Sequence, residues 1–302
     1  MTRQKWVRLS LARLQELLAQ HGYSLDTHTI RRLVVKLGYS LKANRKRLTG
    51  PPHPDRDLQF RYIARLKKQF FRAGWPVISV DTKKKELIGN FKNAGRNWCE
   101  QAEEVNAHDF PQDALARASP YGIYLPKLDR GYMYVGVSRD TPAFAVDAIS
   151  QWWRSHGRPL HPQARRLLIL ADSGGSNGCR PRLWKFRLQQ LADQEQLTIT
   201  VCHYPRGASK WNPVEHRLFS FISINWAGKP LRTLEVMLGY MRDTETETGL
   251  RVEAVSLAGQ YQVGVKVSRQ EWKSLRLHRH KICPTWNYTI RPQRPNHSTA
   301  KQ

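Results

Sequence analysis

Leu167-Leu168-Ile169-Leu170-Ala171 is an unbroken apolar run that closes on Asp172. With no polar alternation, such a strand needs cover on both faces, which predicts a central parallel strand of an α/β fold. A second run, Pro76-Val77-Ile78-Ser79-Val80, closes on Asp81, and Leu197 to His203 predicts a third buried strand. Further strands are expected at Glu86–Phe91 and Gly131–Val137, with residues 98–120 irregular. Helical periodicity marks Phe144–His156 (Ala145, Ile149, Trp152 inward), residues 181–195 (Trp184, Leu188, Leu191 inward) and Glu215–Trp226. Three strands, helix, strand, helix, strand, helix is the order of a ribonuclease-H-like mixed sheet with flanking helices.

An all-α region precedes it. Leu11, Leu14, Leu17 and Leu18 repeat at helical spacing, Gly22-Tyr23-Ser24 breaks the helix, and Asp26 offers an N-cap to a second helix with an Ile30, Leu33, Val34, Leu37 stripe ending at Gly38. This predicts a helix-turn-helix in which Thr27, His28, Thr29, Arg31 and Arg32 meet DNA, although a plain helical hairpin gives the same pattern. Lys42 to Arg47 reads as a basic tether, closed by Gly50-Pro51-Pro52-His53-Pro54. A helix follows over 55–73, with Leu58, Tyr62, Leu66 and Phe70 on one side and Gly74 as its stop. Leu234–Arg242 reads as helical, and the Pro-rich basic tail after Trp286 as loose. The expected division is a helix-turn-helix over 1–41, linker and helix over 42–74, a catalytic domain over 75–228 and an extension over 229–302.

Fifty Lys and Arg stand against 24 Asp and Glu, a formal charge of +26. Residues 1–75 hold 17 basic and 4 acidic residues. The balance favours a polyanionic partner, since cationic contacts to phosphates release counterions, and by itself it suits an RNA-binding protein as well as a DNA-binding one. No run of eighteen apolar residues exists, which argues against a membrane span. The first residues carry no apolar stretch of a secretory signal, and Cys99, Cys179, Cys202 and Cys283 form no CxxC pair. A cytoplasmic, nucleoid-associated location is expected.

The chemistry is expected from Asp81, Asp172 and Glu215, which end two strands and open a helix. Phosphodiester transfer needs charge stabilised on the attacking and the leaving oxygen, and two Mg²⁺ or Mn²⁺ ions held by carboxylates do this. Singly, each acid has another reading. Asp81 could be an ion-pair partner, Asp172 could cap the Ser173-Gly174-Gly175 turn, and Glu215 could be the N3 residue of a capping box led by Asn212 and Pro213. Lys83, Lys84 and Lys210 are candidate DNA contacts. Lys85 shares the same charge run, Ser209 and Trp211 could shape the site or stack a base, and Arg180, Arg182, Lys185 and Arg187 could follow a backbone. Cys202-His203 reads as core. Gly174-Gly175-Ser176-Asn177-Gly178 lacks the GK[ST] of a P-loop, so no nucleotide cofactor is expected.

Three strings of residues resemble the ISAzo13 family of bacterial insertion-sequence transposases. They are Val80-Asp81-Thr82-Lys83-Lys84-Lys85-Glu86 with Gly89-Asn90-Phe91-Lys92-Asn93, Ala171-Asp172 with Gly174 to Gly178, and Ser209 through Ser220. The closing Trp286-Asn287-Tyr288-Thr289-Ile290 is similar to that family's end, and Asn212-Pro213-Val214-Glu215 is also similar to the IS630 and mariner transposases. The resemblance implies a DDE transposase that cuts insertion-sequence ends and joins them to target DNA with the triad Asp81, Asp172 and Glu215. It implies double-stranded DNA as partner and a dimer or higher assembly to pair two ends. Two other readings stand beside it: a decayed copy acting only as a sequence-specific DNA-binding protein, and a nuclease or resolvase of the same fold.

Overall fold

The computed structural model describes residues 9–41, 53–208 and 211–293. The basic tether at 42–47 and the expected contact Lys210, with its neighbour Ser209, lie outside the described residues. The chain divides into two compact units, residues 1–50 and 51–302.

The first unit holds α1 (Leu11–Gln20) and α2 (Thr27–Lys36). Ser10 caps α1 by accepting from Arg13 N, and Asp26 caps α2 by accepting from the N–H groups of His28 and Thr29. Both caps satisfy amides that have no partner within the helix. Ile30 is buried, whereas Leu33 and Leu37 of the expected apolar stripe are exposed.

The second unit is built on one sheet. In chain order its elements are α3 (Arg56–Arg72), β1 (Val77–Thr82), β2 (Glu86–Ile88), β3 (Ala116–Leu125), β4 (Arg130–Gly136), α4 (Pro142–Trp152), α5 (Arg158–Leu160), β5 (Arg166–Ala171), α6 (Arg182–Glu195), β6 (Thr198–His203), α7 (Ser220–Asn225), α8 (Leu234–Arg242), β7 (Arg251–Ser256), α9 (Arg269–Lys273), β8 (Leu277–Arg279) and β9 (Asn287–Ile290). Five-residue π-helical turns, Trp153–Gly157 and Glu215–Phe219, follow α4 and precede α7. The strand order is β7-β4-β3-β1-β5-β6-β9-β8, with β2 paired to β3. β1, β3 and β4 are antiparallel neighbours, and β5 and β6 continue parallel to β1. That antiparallel-then-parallel core is the ribonuclease-H-like fold.

Helices cover both faces. On one, α4 and α6 bury Phe144, Ile149, Trp152, Trp184 and Leu188 against Ile78, Tyr121, Leu167 and Ile169. On the other, α3 packs Ile63 and Phe70 on Leu168 and Leu170, and the segment from Val214 through α8 packs Phe219, Ile222, Met237 and Met241 on Tyr124, Met133 and Val135. The apolar run on β5 is thus covered twice, which is why it reads without alternation.

Three expectations change. The second antiparallel strand of the core is β3, inside and beyond the stretch read as irregular, while Glu86–Phe91 supplies only the short β2. Pro120 and Gly122 disguise β3 as a loop; Pro120 sits where β1 stops, its carbonyl accepting from Lys83 N at 2.8 Å with no N–H to return. The tail after Trp286 is not loose at its start, because Asn287–Ile290 pairs antiparallel with β6. Residues 229–302 also place β7 parallel to β4 and β8 beside β9, in the same sheet as the triad strands.

Candidate active site

Side chains alternate across a strand, and this decides where the two strand acids point. Ile78 and Val80 of β1 enter the core beneath α4 and α6, so Val77, Ser79 and Asp81 face the opposite side. On β5, Leu167, Ile169 and Ala171 take the first side, and Leu168 and Leu170 the second. Val80 pairs with Ala171, so Asp81 and Asp172 are the next residues of adjacent parallel strands.

Glu215 arrives from the helix on that second face. Gly122 is the register partner of Asp81 on β3, and a Cβ there would lie 2.3 Å from Phe219 Cε1 and 3.2 Å from Val214 Cγ2. On β4, a Cβ at Gly131 would lie 2.3 Å from Leu218 Cδ1. Glycine at both places lets the Glu215–Phe219 turn close onto the sheet. That turn is a π-bulge, a widened turn frequent at functional sites.

The three acids share one electrostatic environment. Burial, then the charge of Asp172, then Glu215 raise the Asp81 carboxyl above its ordinary range, against the Thr82 N–H that donates to Asp81 Oδ1 at 2.8 Å. Burial and Asp172 likewise raise Glu215, against its hydrogen bond with Asp81 and the nearby charges of His216 and Lys83. Among the described residues, no group of three or more His, Cys, Asp or Glu stands in a metal-holding arrangement. The acids are turned toward hydrogen-bond partners instead: Asp81 toward Thr82 N and Glu215, and Asp172 Oδ1 toward Asn212 Nδ2 at 3.1 Å. Their chemistry fits a hard divalent cation, which takes carboxylate oxygens and relieves the repulsion that raises these groups.

Asn212 is the residue of this candidate site that the sequence conceals. Its side chain does not cap the following helix; it receives the Ser79 hydroxyl and donates to Val80 O at 3.4 Å as well as to Asp172. No capping box forms, so Glu215 is released to meet Asp81. Behind Asp172, His203 Nδ1 donates to the Asp172 carbonyl at 2.9 Å, and Tyr288 Oη donates to His203 Nε2 at 3.1 Å while accepting from Trp184 Nε1 at 2.8 Å. The Trp286-to-Ile290 string therefore holds the backbone of Asp172 through His203. Thr82 links the site to the glycine-rich loop, its hydroxyl 3.2 Å from Ser176 Oγ and 3.3 Å from Asp140 Oδ1.

The expected DNA contacts divide. Thr27, His28, Arg31 and Arg32 are exposed on α2, and Thr29 is half-buried with its hydroxyl bonded to Asp26 at 2.7 Å. Lys84 is exposed and, with Lys83, Glu215, His216 and Phe219, lines a cleft of about 560 Å³. Lys83 is not the free surface cation expected: its side chain is 9% exposed, its ammonium 2.8 Å from Glu86 and over the Trp226 ring. Arg187 is paired with Asp147, and Lys185 is buried.

Among solved structures, the chain is similar to a Mos1 transposase paired-end complex with the left transposon end (12% identity, 80% of this chain, 72% of that one, TM-score 0.45). It is also similar to a mariner Mos1 paired-end complex with Mg (13% identity, 80% and 72%, TM-score 0.48). No curated protein matches it in sequence. The family model described as the Rhodopirellula transposase DDE domain matches residues 1–292 of the 302. The chain belongs to that family, the ISAzo13 group of DDE transposases.

Proposed function

We propose that this transposase is catalytically competent: that it cuts double-stranded DNA at insertion-sequence ends and joins those ends to target DNA through Asp81, Asp172 and Glu215. The observation that carries the reading is the convergence of three carboxylates from β1, the end of β5 and the Glu215 turn at one sheet edge, where Asp172 and Glu215 raise the proton affinity of Asp81, and Asp172 that of Glu215.

In this reading the three carboxylates hold two Mg²⁺ or Mn²⁺ ions. The ions, when bound, stabilise charge on the attacking and leaving oxygens. The chain's own residues supply position. Asn212 orients the Asp172 carboxylate, Thr82 N–H orients that of Asp81, and His203 fixes the backbone from which Asp172 projects. Lys84 puts positive charge beside Glu215, where a phosphate backbone would lie. Joining exchanges one phosphodiester for another, so no nucleotide cofactor is used. The exposed face of α2 (Thr27, His28, Arg31, Arg32) and Lys210 contribute DNA contacts, and pairing of two ends calls for at least a dimer. Among the described residues no helix is long and apolar enough to cross a membrane, and the proposed setting is the bacterial cytoplasm and nucleoid.

The test is a supercoiled plasmid carrying the inverted repeats that flank the gene. The reading requires breaks at the repeat ends with Mg²⁺ or Mn²⁺ and none in chelator. Specific binding of the repeats with no cleavage under either ion would instead establish a DNA-binding protein.

A further inference from the structure

A cavity of about 640 Å³ lies in the second unit beside the loop that follows Asp172. That volume is within the roughly 300–1,000 Å³ range of small-ligand sites. Arg180, Arg182, Arg206 and Arg279 line it together with Trp272 and Trp286. Two of these cations spring from backbone bonded to the end of β5 or to the loop just after Asp172. Cys179 N donates to Ser173 O at 3.3 Å, placing Arg180 next to the start of the loop, and Tyr204 N donates to Ala171 O at 2.8 Å, two residues before Arg206.

None of the residues lining the cavity is acidic. Among the described residues, the arginines in ion pairs are Arg13, Arg154, Arg158, Arg187, Arg232 and Arg242, and none of the four lining the cavity. Lys185 also lines it, buried, its Nζ donating to Cys179 O at 2.5 Å; burial and then Arg279 lower its proton affinity. The 14-residue helix α6 begins here with no side-chain cap and no acid in its first turn, so its positive end adds to the field. The rings are set against cations and edges: Arg182 stacks 5.2 Å from Trp272, and His53 meets Trp286 edge-on at 4.7 Å.

A duplex offers phosphates to such a place but keeps its bases stacked. Trp286 is buried, but Trp272 is partly exposed, and an indole among arginines takes a base by its face and a phosphate by charge, which only an unstacked nucleotide can offer together. We propose that this cavity binds a nucleotide of unpaired DNA strand adjoining the cut site, holding a frayed or overhanging end beside Asp172. The inference rests on the DNA substrate proposed above.

The test uses the full-length protein in chelator, so that nothing is cut. Fluorescence anisotropy compares a blunt duplex with the same duplex extended by an unpaired oligothymidine strand. The extended duplex binds at least about fivefold tighter, the low end expected for one stacked base. Trp272→Ala and Arg279→Ala each remove most of that preference and leave blunt-duplex affinity near wild type; Arg279 is exposed, so its variant keeps the test valid if Trp272→Ala misfolds. Equal binding of the two duplexes overturns the proposal, and so does a preference that survives Arg279→Ala. Displacement of the extended duplex by thymidine monophosphate as efficiently as by oligothymidine also overturns it, assigning the cavity to free nucleotide. The measurement needs no catalysis, so a failure of the metal-dependent cutting reading and a failure here are told apart.

Discussion

Asn212 Nδ2 lies 3.1 Å from Asp172 Oδ1, while the same side chain receives the Ser79 hydroxyl. One amide thus ties the loop before Glu215 to both strands that carry the aspartates. Truncating it takes the acceptor from the buried Ser79 hydroxyl and one donor from the half-buried Asp172, a loss of about 1–3 kcal/mol. Asn212→Ala is expected to lower the melting temperature and to reduce strand joining by roughly 10- to 100-fold, the usual cost of losing a partner that orients a metal ligand. Asn212→Asp, with an acceptor and a like charge facing Asp172, falls at least as far. Wild-type rates in both variants would remove Asn212 from the site.

Gly122 is required by space rather than by backbone angle. An added methyl would press on Phe219 and Val214 and push the Glu215 turn off the sheet. Gly122→Ala should cost about 1–3 kcal/mol in denaturant unfolding, the range for overpacking. Its joining rate should fall by more than the unfolded fraction accounts for, because Glu215 is displaced from Asp81.

Mutual repulsion at the triad implies a trade between function and stability. Asp81→Asn removes one of three neighbouring carboxylates, and the metal-free variant should melt higher than the metal-free parent, by about 2–4 °C for each kcal/mol relieved. Mg²⁺ or Mn²⁺ should stabilise the wild type and leave the variant nearly unmoved in scanning calorimetry. A variant that still gains stability from the ions would place their binding elsewhere.

His203 gives the fold an acid sensitivity. Burial lowers its pKa to about 3, below the value near 6.5 of an unfolded chain. A base depressed in this way contributes stability above the unfolded value, and that contribution is lost as pH falls, because the unfolded chain takes up a proton that the folded one refuses. The loss from this group approaches about 1.4 kcal/mol per pH unit below pH 6.5. Urea unfolding at pH 7 and at pH 5 should show it, and His203→Gln, less stable at pH 7, should show a shallower slope. Equal slopes would mean that His203 titrates normally.

The legible parts of this fold were those written in continuous hydrophobic pattern. Leu167 to Ala171 and Pro76 to Val80 announced two central strands because both their faces are buried, and the acids that close them followed. β3 was hidden because Pro120 and Gly122 serve needs outside the strand itself, the end of the β1 ladder and the approach of Phe219. Asn212 was hidden for a related reason. Asn-Pro before a helix has a local explanation as a cap, and only the register of β1 against β5 shows that the side chain is used at long range. The closing Asn287 to Ile290 strand was obscured by its proline-rich, basic surroundings, although Tyr288 is fully buried against His203 and Trp184.

In the proposed function, three carboxylates act as one metal-dependent DNA-joining site. It is tested most directly by strand transfer of precut element ends into plasmid DNA, with the wild type and with Asp81→Asn, Asp172→Asn and Glu215→Gln, each first shown to bind the ends. Joined product is expected in Mg²⁺ or Mn²⁺ for the wild type and its loss in all three variants, with end binding retained. Joining by any one of the variants at the wild-type rate would contradict it.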